Sequence, residues 1–306
     1  MWKSFQTWWK ESRVVKKFSR DRTAMASLVV IGLYSLVFLW TMVTNLDVDH
    51  VNKMSVENPK SVGWLQSYNQ DTGVAKSGPT AKHLAGTDKL GRDIFKRLLV
   101  SVNVAFKIGL VTAFIACFLG LLLGGLAGYY GGWVDLVITW IYSVFSSIPY
   151  IVLVLLIAAI FKNTQGLTGL YVAFGLSFWI GPARVVRGEI MKIKELEYVQ
   201  AAQAVGNSSF RILIRHVLPN TMHLIFVYFS LLFIGAIKSE VILTFLDLGV
   251  KGMPSWGLMI ADASKDILSG FWWQMIGASV ALFGLVYAFN IFTDALQDAL
   301  DPKHHS

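Results

Sequence analysis

Cysteine and charge are both scarce in this 306-residue chain. The single cysteine, Cys117, lies in an apolar run, which excludes a disulfide framework and a cysteine metal site. The six histidines are scattered, and none forms an HExxH or similar pair, so no metal is expected. No glycine is followed by lysine, so the GxxxxGKS/T phosphate loop is missing and ATP cannot bind in that way. No nucleophile and base are set together, so no catalytic residue is expected and an enzyme is disfavoured. Charged residues make up 15% of the chain, against about 25% in soluble domains. Hydrophobic residues make up 55%, and the mean hydropathy is +0.55. These values predict an all-α polytopic membrane protein. The net charge of +8 could suggest nucleic acid. The basic residues sit beside apolar runs, however, so the expected contact is membrane lipid, with no nucleic acid.

Residues 1–23 carry seven Lys or Arg, interleaved with Trp2, Phe5, Trp8 and Trp9. That pattern suits an interfacial helix on an anionic leaflet, with a solvated basic tail as the alternative. Residues 24–46 are long enough to span ~30 Å of hydrocarbon as a first transmembrane helix. A polar segment of turns and little core follows to about residue 97. Five further apolar runs are expected near 104–130, 133–161, 167–186, 221–240 and 271–292. Pro149 should kink the third crossing. Six crossings with basic stretches at 1–23 and 183–216 place both termini in the cytoplasm by the positive-inside rule.

The polar, basic stretch 194–220 interrupts this apolar chain. Ala201, Ala202 and Gly206 give a face with almost no bulk, and Gly206 should break or bend the helix. Arg211 and Arg215 follow, and Pro219 suits the first turn of a new helix. The stretch reads as helix, turn, helix; an ordinary amphipathic loop helix is the alternative. Earlier in the chain, Gly86-Thr-Asp-Lys-Leu-Gly-Arg-Asp93 offers Asp88 as a helix N-cap, with Leu90, Ile94 and Leu98 repeating every four residues. Glu240 falls at the outer end of the fifth run. It reads either as an interfacial glutamate paired with Lys238 or solvent, or as a gate residue.

Several of these stretches resemble one family. Gln200-Ala201-Ala202, then Gly206, then His216 and Leu218-Pro219 follow the coupling-loop pattern of ATP-binding-cassette importer permeases. Gln200 and His216 depart from the general Glu and Ile of that pattern. The form AAQAVG…RHVLPN is similar to the dipeptide and oligopeptide branch, and specifically to its C-type permease subunit. The segment with Gly86, Asp88, Gly91, Arg92 and Asp93, the later Ser255-Trp-Gly257, and the ending Asp294…Asp298…Asp301-Pro302 fit the same branch. Asp247 and Gln297 stand where that branch usually has glycine and arginine.

The resemblance implies a type I importer permease fold with six transmembrane helices, in a bacterial inner membrane. It implies an outer loop at 47–103, a five-helix core at 104–298 with the coupling loop at 194–220, and a tail at 299–306. It implies Glu197, Gln200, Ala201, Ala202, Gly206, Arg211, Arg215, His216 and Pro219 as ATPase-coupling residues. Glu240, with Ser146 and Trp179, would lie on a gate or substrate path. The expected partners are a second, homologous permease, two ATPases that bind ATP and magnesium, an extracytoplasmic binding protein and a peptide substrate. Nickel, a peptide antibiotic or a glycan fragment are alternative cargoes. An ion-coupled secondary carrier would need midplane acids, which the spans lack.

Overall fold

The computed structural model describes residues 21–44, 63–161, 167–246, 248–249 and 253–300. The basic segment 1–20, the turn at 162–166, Asp247 and the tail 301–306 lie outside the described residues. Eleven helices are labelled here in chain order. They are α1 (Arg22–Val43), α2 (Ile94–Tyr130), α3 (Gly132–Ser146), α4 (Tyr150–Ile160), α5 (Thr168–Phe178) and α6 (Ile180–Ile193). Then come α7 (Glu197–Ala204), α8 (Ser209–Ile212), α9 (Leu218–Phe245), α10 (Trp256–Asp266) and α11 (Trp273–Leu300). Among the described residues there is no named strand, only two isolated bridges.

Five stretches are long and apolar enough to cross a membrane: α1, α2, α5 with α6, Ser209–Phe245, and α11. A sixth crossing is the pair α3 and α4, bent by 90° at the break between them. Counting that pair as one gives the six expected. The break falls at Ser147, Ile148 and Pro149, where the proline ring removes an amide donor. Pro182 does not end the fourth crossing, because it lies in the first turn of α6, where a missing amide costs nothing.

Helix ends differ from the sequence expectations in instructive ways. The carboxylate of Asp21 caps α1, accepting from the amides of Thr23 and Ala24 at 2.8 and 3.3 Å. The Thr23 hydroxyl and these amides hold that carboxyl below the usual range. α2 starts ten residues before the expected Val104, since no glycine or proline interrupts 94–104. α11 runs eight residues past Phe292. α10 was not expected at all.

The chain sorts into two compact units. One comprises Met1–Ile108, Gln165–Leu167 and Ile237–Ser306. There α1 packs on α11, where the Tyr34 hydroxyl donates to the Ala281 carbonyl at 2.8 Å. α10 packs on α11 as well, with Met259, Ile260, Ile94 and Ala278 forming a buried cluster. The other unit comprises Gly109–Thr164 and Thr168–Ala236. Its core joins Val186, Ile190 and Ile193 of α6 to Val199, Ile212, Leu213, Val217 and Ile225. A second cluster gathers Ala116, Ala127, Ile138, Tyr142, Trp179 and Ala183.

Candidate functional site

The stretch 194–220 folds as helix, turn, helix. α7 is one short helix, with Val199 fully buried against α6 and α8. It ends because Gly206 takes a left-handed backbone at φ +85°. The Gly206 amide donates to the Gln203 carbonyl at 2.9 Å, and the Asn207 amide to the Ala202 carbonyl at 3.3 Å. Those two bonds are the Schellman ending that glycine allows. No atom lies near where a Cβ at Gly206 would stand, so backbone conformation, not crowding, demands glycine there.

α8 then runs into a five-residue π turn, Leu213–Val217, and on into α9. Pro219, the second residue of α9, cannot donate to the carbonyl of Arg215, and the wider turn sits where that bond is lost. Ile212, Leu213 and Val217 point into the core. The opposite side is open: Val205 is 83% exposed, Phe210 65% and Ile214 49%. Glu197, Gln200, Ala201, Arg211, Arg215 and Pro219 are also exposed. Ala202 is half-buried against the core, so its small size serves the interior. His216 is half-buried, and its carbonyl accepts from Asn220 at 2.6 Å. A cleft of about 540 Å³ lies alongside, lined by Tyr129, Tyr130, Lys194, Gln200, Gln203 and Ser209. The arrangement presents apolar groups among charges, on a frame fixed from behind.

The 86–93 segment is a closed structure. Asp88 does not cap a helix. Its carboxylate closes a turn, accepting from the amides of Leu90 and Arg92 at 2.8 and 2.9 Å and from Arg92 Nε at 2.7 Å. Asp93 is the residue that caps α2, accepting from the Lys96 amide at 3.1 Å. It also meets His83 Nδ1 at 2.8 Å. Arg92 and Arg97 both donate to Asn69 Oδ1, and Arg97 lies 3.8 Å from Asp88. Gly86 and Gly91 take left-handed backbone, φ +78° and +71°. Leu90, expected on the helix repeat, is exposed.

Glu240 is buried, with 5% of its surface exposed. It is neither solvated nor paired with Lys238. Its carboxylate accepts from Ser255 at 2.7 Å and from Thr244 at 2.8 Å. Ser255 in turn caps α10 by accepting from the Leu258 amide at 3.0 Å. Gly257 packs directly on that carboxylate, with no room for a Cβ. Glu240 therefore ties the end of α9 to the start of α10. Ser146 is exposed and accepts from Arg184 at 2.6 Å. Trp179 is buried edge-on to Phe145. Glu240 belongs to one compact unit, and Ser146 and Trp179 to the other.

Sequence reading missed α10, although Ser255 and the buried Trp256, Met259, Ile260 and Ala263 spell out a capped helical face. It also missed the ion pair of Asp135 with Arg187, whose 52-residue separation leaves no local signal.

An all-helical membrane protein with six crossings and this exposed double helix between the fourth and fifth has known counterparts. Residues 120–305 match the family described as binding-protein-dependent transport system inner membrane component. The dipeptide transport system permease protein of Bacillus subtilis is 40% identical over 74% of this chain and 70% of its own length. The glutathione transport system permease of Pectobacterium atrosepticum is 33% identical over 98% and 93%. The oligopeptide transport system permease of Escherichia coli K12 is 32% identical over 96% and 91%. The chain belongs to the binding-protein-dependent permeases, in the dipeptide and oligopeptide branch of the ATP-binding-cassette importers, and has their type I fold.

Proposed function

We propose that this chain is a non-catalytic membrane subunit of an ATP-driven importer of di- and oligopeptides, and that residues 197–217 receive separate ATPase subunits. It forms half of the translocation channel beside a second, homologous permease. Two ATPases bind ATP and magnesium outside this chain, and an extracytoplasmic binding protein delivers the peptide. The relatives' cargoes, dipeptide, oligopeptide and glutathione, support a peptide substrate. The basic stretches at 1–23 and 183–216 support cytoplasmic placement of both termini and of the 194–220 stretch.

One observation carries this reading. A short double helix is braced from behind by Val199, Ile212, Leu213 and Val217, yet leaves Val205, Phe210 and Ile214 bare. Bare apolar groups on a rigid frame suit a partner surface. Arg211 and Arg215 beside them suit acidic groups on that partner. The test is co-purification of the ATPases with the membrane pair. Phe210→Asp should leave the chain inserted and paired while weakening ATPase capture about tenfold or more. Undiminished capture would overturn the reading.

A further inference from the structure

We propose that Asp135 and Arg187 are positioning residues: their ion pair locks α6, the helix that leads into the coupling segment, so that load received there is passed on and not absorbed. The inference rests on the reading of 197–217 as the ATPase-receiving stretch.

α6 ends at Ile193, and α7 starts at Glu197, so whatever fixes α6 fixes the base of the double helix. Two neighbours grip it. On one side is α2, whose Gly120, Gly124 and Gly128 stand four apart on one face. A Cβ on Gly120 would meet Pro182 at 2.8 Å, and one on Gly128 would meet the Arg187 carbonyl at 2.7 Å. A Cβ on Gly124 would run into the Ala183 carbonyl. The two helices therefore touch backbone to backbone, as small-residue faces permit. That contact is one of shape. It sets how near α6 lies to α2.

The other grip supplies direction. Arg187 Nη2 donates to Asp135 Oδ2 at 2.6 Å, and Nε donates to Oδ1 at 2.5 Å. The Thr139 hydroxyl donates to the same carboxylate at 3.1 Å, holding its plane. Such a forked pair fixes orientation as well as distance. Both side chains are mostly sheltered, at 26% and 20% exposure, so solvent screens them less than a surface pair. Arg187 is the point where both grips meet: its carbonyl lies on Gly128 and its guanidinium on α3. An open cleft of about 760 Å³, lined by Leu136, Trp140 and Ser143 of α3, lies beside the pair.

The experiment uses the full complex in lipid nanodiscs, with binding protein and peptide. The variants are Asp135→Ala, Arg187→Ala, Arg187→Lys and the exchange Asp135→Arg with Arg187→Asp. The ATPases should co-purify with each single variant in parental amounts, and hydrolysis without peptide should be unchanged. Peptide-stimulated hydrolysis and uptake should both fall about tenfold in the alanine variants, the worth of one charge-assisted forked pair. Arg187→Lys should fall in between, because lysine lacks the fork. The exchange should bring stimulation back to within about fivefold of the parent, the remainder reflecting a cation at the start of α3. Parental stimulation in the alanine variants would overturn the proposal, as would an exchange that folds and stays uncoupled. Loss of the ATPases from the alanine variants would overturn it too, since the pair would then support docking itself. Phe210→Asp run alongside separates the two claims: if it captures ATPases normally, the docking reading fails first.

Discussion

Residues 63–93 and residues 194–220 are both polar interruptions of an apolar chain, yet their charges are arranged in opposite ways. In 63–93 the acidic groups, Arg92 and the nearby Arg97 find partners within the chain. Asp88 gathers two amides and Arg92, Asn69 receives two arginines, and Asp93 meets His83. Lys76 and Lys89 reach Asp266 and Asp262 on α10. In 194–220 the apolar groups are divided, half buried and half bare, and Glu197, Arg211 and Arg215 face outward. Those charged groups of the first region find partners within this chain, on the region itself and on α10, whereas the second keeps Val205, Phe210 and Ile214 bare beside exposed arginines. Polarity in a sequence does not distinguish them; the partners of each side chain do.

The sharpest way to break this comparison is at Asp88. Asp88→Ala removes the carboxylate beside Arg92 and the buried Arg97 and leaves them only the neutral Asn69, and removing one partner of a buried pair costs about 3–5 kcal/mol. Thermal unfolding of the purified chain in lipid should drop steeply, and an unchanged midpoint would make the closed region incidental. Glu240→Ala comes next. It leaves Ser255 without its acceptor, at about 1–3 kcal/mol for a buried group left unsatisfied, while Thr244 keeps the Glu240 main-chain carbonyl at 2.9 Å. Glu240→Gln keeps an acceptor and should recover most of that loss in the same assay.

At the open region the prediction is inverted. Val205→Asp should leave the unfolding midpoint within about 0.5 kcal/mol of the parent, as exposed substitutions do, while reducing ATPase capture. A stability loss equal to that of Asp88→Ala would remove the contrast. Gly206→Ala should cost about 1 kcal/mol through its left-handed backbone. The smallest effect is expected at Lys89→Ala, which loses a partly exposed pair worth about 0–1 kcal/mol.

What was legible in the sequence follows from the range of the forces involved. Six crossings could be read because a bilayer imposes a length on each apolar run. Gly206 and Pro149 could be read because each acts on its own backbone. Asp88 was misread because its capping chemistry was right but its context was a turn, with the true cap five residues later at Asp93. Of the two readings of Glu240, pairing with Lys238 failed because that lysine is merely near in sequence, whereas its partner Ser255 is fifteen residues away. The seating of Pro182 and Ala183 on the glycines of α2 had no local signal, since the partners lie on another helix. Exposure of Phe210 beside buried Ile212 had no sequence signal, since both are apolar and only packing chooses between them.

The break between α3 and α4 carries a consequence for solvation. A straight helix satisfies its own amides and carbonyls; a 90° corner does not. At the corner Ser143 donates to the Thr139 carbonyl and Ser147 to the Val144 carbonyl, each at 2.7 Å. The corner still presents Ser146, Ser147, Pro149 and Tyr150 at the surface of the isolated chain. Hydrocarbon offers such groups nothing to bond. Such a corner is better matched to a protein surface or to water than to hydrocarbon.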